Sequence, residues 1–277
     1  MRAICTWSFL GLLLLAATLP VAAQEAVPRL RHADPSAKPP DAKAFGVIRF
    51  LADEDFPPFS YRNGSGALTG FSVALVGAMC DAHGLTCQFA AKPWPELMPA
   101  LAAGQADVLI SGHRLTPALL ESAEATKPYF RAAARFAVRK DRPLPAASQK
   151  AFAGKRVGVV AGTVHEAWLK ENFRLSVLRA FPDFATAQQA LRDGSVDGLF
   201  ADWAALSFWV LSPASADCCQ LAGGTFAQAE SLSPGLSLIL RKDQKDMRRL
   251  LDHGLDELES SGTTAAIFRR FFPASPW

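Results

Sequence analysis

The chain lacks the short signatures that usually announce catalysis. It has no G-x-S-x-G nucleophile elbow, no G-x-x-x-x-G-K-[ST] phosphate loop, and no Cys-x-x-Cys or paired-His spacing for a metal. No cofactor is therefore expected. It has neither a basic stripe nor an acidic tail; the charges are interspersed and sum to +3 at pH 7. Nucleic acid is not an expected partner. Beyond the N-terminus no run is long and apolar enough to span a membrane. No fused signalling domain is recognisable.

What is present begins with a targeting segment. Arg2 supplies a thin positive region, residues 7–19 are almost wholly apolar, and Val21-Ala22-Ala23 is a small-residue cleavage site before Gln24. The apolar run is short for a bilayer span, so residues 1–23 read as a cleaved secretory signal and the chain is expected in the periplasm. A retained anchor is the alternative. Cys5 precedes the apolar run and so is no lipoprotein acceptor. Of 277 residues, cleavage leaves about 254, and loss of Arg2 leaves a net charge of +2. That length suffices for two lobes of about 100–150 residues each.

Four cysteines remain after cleavage: Cys80, Cys87, Cys218 and Cys219. An exported chain meets an oxidising compartment, so pairing is expected. Cys80 and Cys87 fall where a predicted helix ends and a strand begins, within reach of a local disulfide. Closing so short a loop stabilises by about 2–3 kcal/mol in the chain-entropy picture. Zinc is the competing reading, and no ligand spacing supports it. Cys218-Cys219 can be a vicinal disulfide, two thiols or a bridge between chains.

Residues 24–44 are rich in Pro, Ala and Lys without periodicity, and read as a disordered or loosely packed leader. Strand and helix patterns then alternate. Strands are expected over 47–51, 86–90, 108–111 and 132–138, with helices over 71–82 and 96–103; Phe71, Leu75, Val76 and Met79 share one helical face. A second cycle follows, with strands over 155–160, 176–180 and 196–201 and helices from 165 to 172 and 184 to 192. A strand over 236–241 and helices over 245–260 and 263–271 complete the chain. The rhythm predicts an α/β fold of mostly parallel, doubly wound sheets. Arg139-Lys140-Asp141 and Arg241-Lys242-Asp243 each follow a long apolar strand. These two strands are expected to carry the chain out of lobe one (45–139 plus 238–277) into lobe two (140–237) and back. Ligands in open α/β sheets bind beyond the carboxyl ends of strands, here in the interlobe cleft.

The pieces bordering that cleft form a series: Asp55-Phe-Pro-Pro-Phe-Ser-Tyr61, Asn63-Gly-Ser-Gly66 running to Gly70-Phe71, Trp94, Ala106-Asp-Val-Leu-Ile-Ser-Gly112, Thr116-Pro117 and Lys127-Pro-Tyr-Phe130. In this order they resemble the polar-amino-acid solute-binding proteins of ABC transporters, family 3, over nearly all of 46–273. The resemblance implies a two-lobed type II periplasmic binding protein with two hinge crossovers. Such a protein works as a monomer that captures a polar small molecule and delivers it to an inner-membrane permease. It also implies site roles. Phe56 would cover the ligand and Trp94 would form a wall. Gly112 and Arg114 fall where a small hydroxyl residue often bonds the carboxylate. Thr116 matches the Thr of a Thr-x-x-Arg pattern, but Leu119 stands where the clamping Arg belongs. Thr163, Val164 and His165 match a ligand-contacting turn in lobe two, and Asp202 matches the acid that receives the α-ammonium group. The Cys80/Cys87 spacing is similar to a local disulfide of histidine-binding members.

The missing clamp has two explanations: Arg114, five positions upstream, takes the carboxylate, or the ligand is not a simple α-amino acid. Each site residue also has a plainer reading. Phe56 and Phe59 can simply pack their loop, and Arg114, His113 and His165 can be solvated. Thr163 and Asp202 can cap helices. Trp94, between Pro93 and Pro95, is expected in a loop. Trp203, Phe208 and Trp209 fit a core better than an interaction patch. Two rival functions stand beside capture. One is a periplasmic sensor or redox accessory; the other is a cyclohexadienyl-dehydratase-like enzyme using Glu166, His113 or His165.

Overall fold

The computed structural model describes residues 38–272 except 132, 145, 227–231, 233 and 234. The expected signal (1–23) and most of the expected leader lie outside the described residues. The end of that leader is not loose: Ala42–Phe45 form a 3-10 turn capped by Asp41, with Ala42 and Phe45 packed on the first lobe's core.

Lobe one begins with β1 (Val47–Asp53) and a three-stranded ribbon of β2 (Asp55–Phe56), β3 (Ser60–Arg62) and β4 (Leu68–Thr69). It continues through α1 (Phe71–Ala82), β5 (Thr86–Lys92), α2 (Trp94–Ala102), β6 (Val108–Ile110), α3 (Pro117–Ser122) and β7 (Ala123–Ala125). Lobe two runs β8 (Ala134–Arg139), β9 (Arg156–Val160), α4 (Val164–Asn172), β10 (Val177–Phe181), α5 (Phe184–Arg192), β11 (Gly198–Asp202), α6 (Trp203–Val210) and β12 (Cys219–Phe226). The chain returns to lobe one with β13 (Ile239–Arg241), α7 (Lys245–Ser260) and α8 (Thr263–Phe271).

The two five-stranded sheets share one plan. Their orders are β5-β1-β6-β13-β7 and β10-β9-β11-β8-β12. In each, four strands run the same way and only the fourth in the order is antiparallel to its neighbours. The fourth strand of each sheet, β13 or β8, is the one arriving from the other lobe. Matching ion pairs reinforce the plan. Arg49 in β1 grips Asp107 ahead of β6 at 2.8 and 2.9 Å, and Arg156 in β9 grips Asp197 ahead of β11 at 3.0 and 3.1 Å.

The lobe boundary differs from expectation. The strand at 134–139, expected to close lobe one, is hydrogen-bonded between β11 and β12 in the second sheet. The crossover therefore lies between Ala125 and Ala134, where Phe130 bridges Leu236 on the returning strand. Both crossing strands are apolar and end in Arg-Lys-Asp, so local pattern does not say which sheet each one joins. Trp94 is not in a loop either; it opens α2. Pro95 stands in the first turn, where a proline's missing N–H costs nothing. The short β2–β4 ribbon, α3, β7 and β12 were not anticipated.

Phe71, Leu75, Val76 and Met79 of α1 are all buried against β1, α7 and α8, as their spacing predicts. Cys80 and Cys87 are disulfide-bonded, tying the end of α1 to β5. Cys218 and Cys219 form a vicinal disulfide at the start of β12, which decides among the three states their sequence allowed.

Candidate functional site

Both lobes turn the carboxyl ends of their parallel strands toward one cleft of about 470 Å³. From lobe one the 55–59 loop, the segment after β6 and the crossover at Phe130 line it. From lobe two come the start of α4, the β11–α6 junction and the chain near Leu232.

The aromatic loop is held by α1. The first N–H groups of a helix have no partner within it. Here Phe71 N–H donates to the Pro58 carbonyl (2.8 Å) and Ser72 N–H to that of Phe59 (2.9 Å). The approach is so close that a Cβ on Gly70 would lie 2.3 Å from the Phe59 carbonyl oxygen, at a φ of +127°. Only glycine suits that position. Phe59 is then pressed edge-on against Phe130 (4.9 Å), and Phe56 stacks on Phe59 at 5.0 Å. The Phe56 ring lies over Gly112, where a Cβ would come within 2.8 Å of it.

Arg114 is exposed, lines the cleft, and has no hydrogen-bond or ion-pair partner among the described residues. Leu119, at the position where the resemblance calls for an arginine, packs against the Leu97–Leu101 cluster instead. Thr116 caps α3, its hydroxyl accepting from Leu119 N–H at 3.2 Å. Trp94 stands outside the cleft lining, stacked on His113 at 3.8 Å and 11°. His113 shares a 2.8 Å hydrogen bond with Ser111. Burial pushes its pKa below the ordinary value, against the pull of Asp53.

On lobe two, Thr163 caps α4: its hydroxyl donates to the Val160 carbonyl (2.7 Å) and accepts from Glu166 N–H (3.3 Å). Glu166 accepts from Gly162 N–H, just before the cap (2.8 Å), and pairs with Lys170 (2.7 Å), tying down the first turn of α4. Val164 and His165 face the cleft. The His165 ring meets Phe200 edge-on, and burial lowers its pKa. Asp202 ends β11 and caps α6. One oxygen, Oδ1, accepts from Ala204 N–H (2.8 Å) and Ala205 N–H (3.1 Å). Burial pushes its carboxyl up, and these two bonds only partly oppose it.

Of the residues singled out from sequence, Phe56, Gly112, Arg114, His165 and Asp202 line the cleft, while Trp94, Thr116 and Thr163 do not. Sequence reasoning passed over Phe130, Phe208, Ala204 and Ala205 as lining residues. Phe130 closes the Lys127-Pro-Tyr-Phe130 motif, a signal that was available. Phe208 looked like core because its neighbours Trp203 and Trp209 are core; it is in fact 40% exposed.

Two lobes of one topology, joined by paired crossovers around a shared cleft, define a solute-capturing protein. The chain belongs to the bacterial extracellular solute-binding proteins, family 3, whose profile matches residues 48–274. It is 26% identical over 235 residues to the ABC transporter arginine-binding protein 1 of Escherichia coli K12, covering 84% of this chain and 93% of that one. Its fold is similar to the L-cystine solute receptor of Neisseria gonorrhoeae in the unliganded open conformation. That match has 19% identity and a TM-score of 0.72, covering 83% and 94% of the two chains. An ancestral cyclohexadienyl dehydratase shares the fold at 19% identity and a TM-score of 0.66, covering 84% and 95%. Among the described residues no helix is long and apolar enough to cross a membrane.

Proposed function

We propose that this protein captures an amino acid or a related zwitterion in the interlobe cleft and delivers it to an ABC permease. One observation carries the reading. Arg114 and Asp202, of opposite charge and on opposite lobes, line the same cleft, and each keeps a charged end uncommitted among the described residues. A ligand carboxylate suits the free guanidinium, and its ammonium suits the second oxygen of Asp202. Leu119 is spent on the core, which favours Arg114 as the replacement cation. The opening N–H groups of α4 lie beside the same space and favour an anionic group. A ligand held from both sides stabilises the closed arrangement of the lobes, because only there does it touch Arg114 and Asp202 together. Arginine and L-cystine, the ligands named for two similar proteins, are both amino acids.

The N-terminal signal reading supports a periplasmic location, and we take the working form to be a monomer. We read the cleft as non-catalytic, since Glu166 is engaged by Gly162 and Lys170. Turnover of an arogenate- or prephenate-like substrate would overturn that part. The central test is isothermal titration of the mature protein with L-amino acids, repeated with Arg114→Ala. Binding weakened about tenfold or more (1.4 kcal/mol per decade) supports the shifted clamp, and an unchanged Kd sinks it.

A further inference from the structure

This inference rests on the amino-acid reading and narrows it. Once Arg114 takes the carboxylate and Asp202 the ammonium group, no charge is left among the described lining residues for a third charged group. The remaining wall is mostly apolar: Phe56, Phe59, Phe130 and Phe208 come from three separate parts of the chain, and Leu236 lines it too. His165 is the one other titratable residue there, and its burial disfavours the charged form. Two further carboxylates, Glu166 and Asp53, stand outside the lining. Glu166 is bound by Gly162 N–H and Lys170. Asp53 is buried at the end of β1, accepts from Asp55 N–H at 3.1 Å, and does not line the cleft.

A charged side chain entering this wall would exchange water for phenyl rings. Without a partner of opposite charge that exchange is strongly unfavourable. Attraction of a cation to a phenyl face is too weak to replace the hydrogen bonds a guanidinium would lose. A large apolar side chain gains instead, by removing its own surface and the exposed ring of Phe208 from water. The cleft volume of about 470 Å³ falls inside the usual range of small-molecule sites, about 300–1,000 Å³. We propose that the cleft selects amino acids with large apolar side chains, aromatic or branched aliphatic, and rejects those whose side chains are charged. Phe208 is the residue on lobe two that makes the selection.

The test is titration of the mature protein with L-phenylalanine, L-leucine, L-alanine, L-arginine and L-glutamate. Phenylalanine or leucine should bind at least tenfold tighter than alanine and about a hundredfold tighter than arginine or glutamate. Arginine or glutamate binding as tightly as the apolar pair would overturn the selection while leaving the amino-acid reading intact. Failure of all five to bind would overturn both. In Phe208→Ala, which sits on an exposed position and should fold, the preference for phenylalanine over alanine should shrink about tenfold. An unchanged ratio would remove Phe208 from the role.

Discussion

Asp202 shows how much can rest on one side chain. Its Oδ1 caps α6, its burial disfavours the charge, and the residue lines the cleft. Asparagine caps helices about as well as aspartate. Asp202→Asn should therefore leave thermal stability nearly unchanged while ligand affinity falls at least tenfold; a large loss of stability with intact binding would make the residue a cap alone. The raised pKa also has a direction. A carboxyl whose folded pKa lies above its unfolded value weakens the fold as pH rises through that interval, because the charge is penalised only in the folded state. A ligand ammonium relieves the penalty. Affinity should thus fall as pH drops through the raised pKa, above the ordinary aspartate value, and titrations of Asp202→Asn across the same range should be flat.

At the scale of elements, the Cys80–Cys87 bridge fastens α1 to the edge strand β5. Replacing both cysteines by serine should cost about 2 kcal/mol. For a chain of this size that corresponds to a midpoint lower by about 4–8 °C, read by calorimetry under non-reducing conditions. The Arg–Asp pairs work at the same scale. Burial penalises the Asp107 charge, yet the Arg49 side-chain and backbone hydrogen bonds, with a further contact from Arg241, hold its carboxyl below the ordinary value. For Asp197 the Arg156 bonds come first and burial opposes them. Both carboxylates contribute stability above the unfolded carboxylate pKa that is lost as pH falls through their lowered values. Asp107→Ala should destabilise more than Asp197→Ala in urea melts, since Asp107 is the more buried and leaves two arginines without their partner.

Across the whole molecule, Trp203 ties the lobes together. It begins α6 of lobe two, yet its fully buried ring stacks on Phe268 (5.8 Å) and lies tilted against Phe272 (5.5 Å) of lobe one. The helix capped by Asp202 is thus rooted in the other lobe's aromatic core, next to the crossovers. Trp203→Ala should cost about 3–5 kcal/mol and broaden the urea transition, because it loosens one lobe from the other. An unfolding curve as steep as that of the unaltered protein would show that the lobes couple without it. Small-angle scattering should give a smaller radius of gyration once a ligand is bound.

The main alternation of strands and helices, the buried face of α1 and the Cys80–Cys87 bridge were legible in the sequence. Each depends on local spacing: helical period, strand alternation, or two cysteines seven residues apart. The charges at Arg114 and Asp202 were legible too, because motifs at strand ends carry them. Long-range choices were not. Which sheet the strand at 134–139 joins, the packing of Leu119 against the core, the stacking of Trp94 on His113 outside the cleft and the exposure of Phe208 all depend on partners distant in the chain. An apolar residue has the same local pattern whether its partner is its own lobe, the other lobe or a bound solute. Only the packed structure chooses among them.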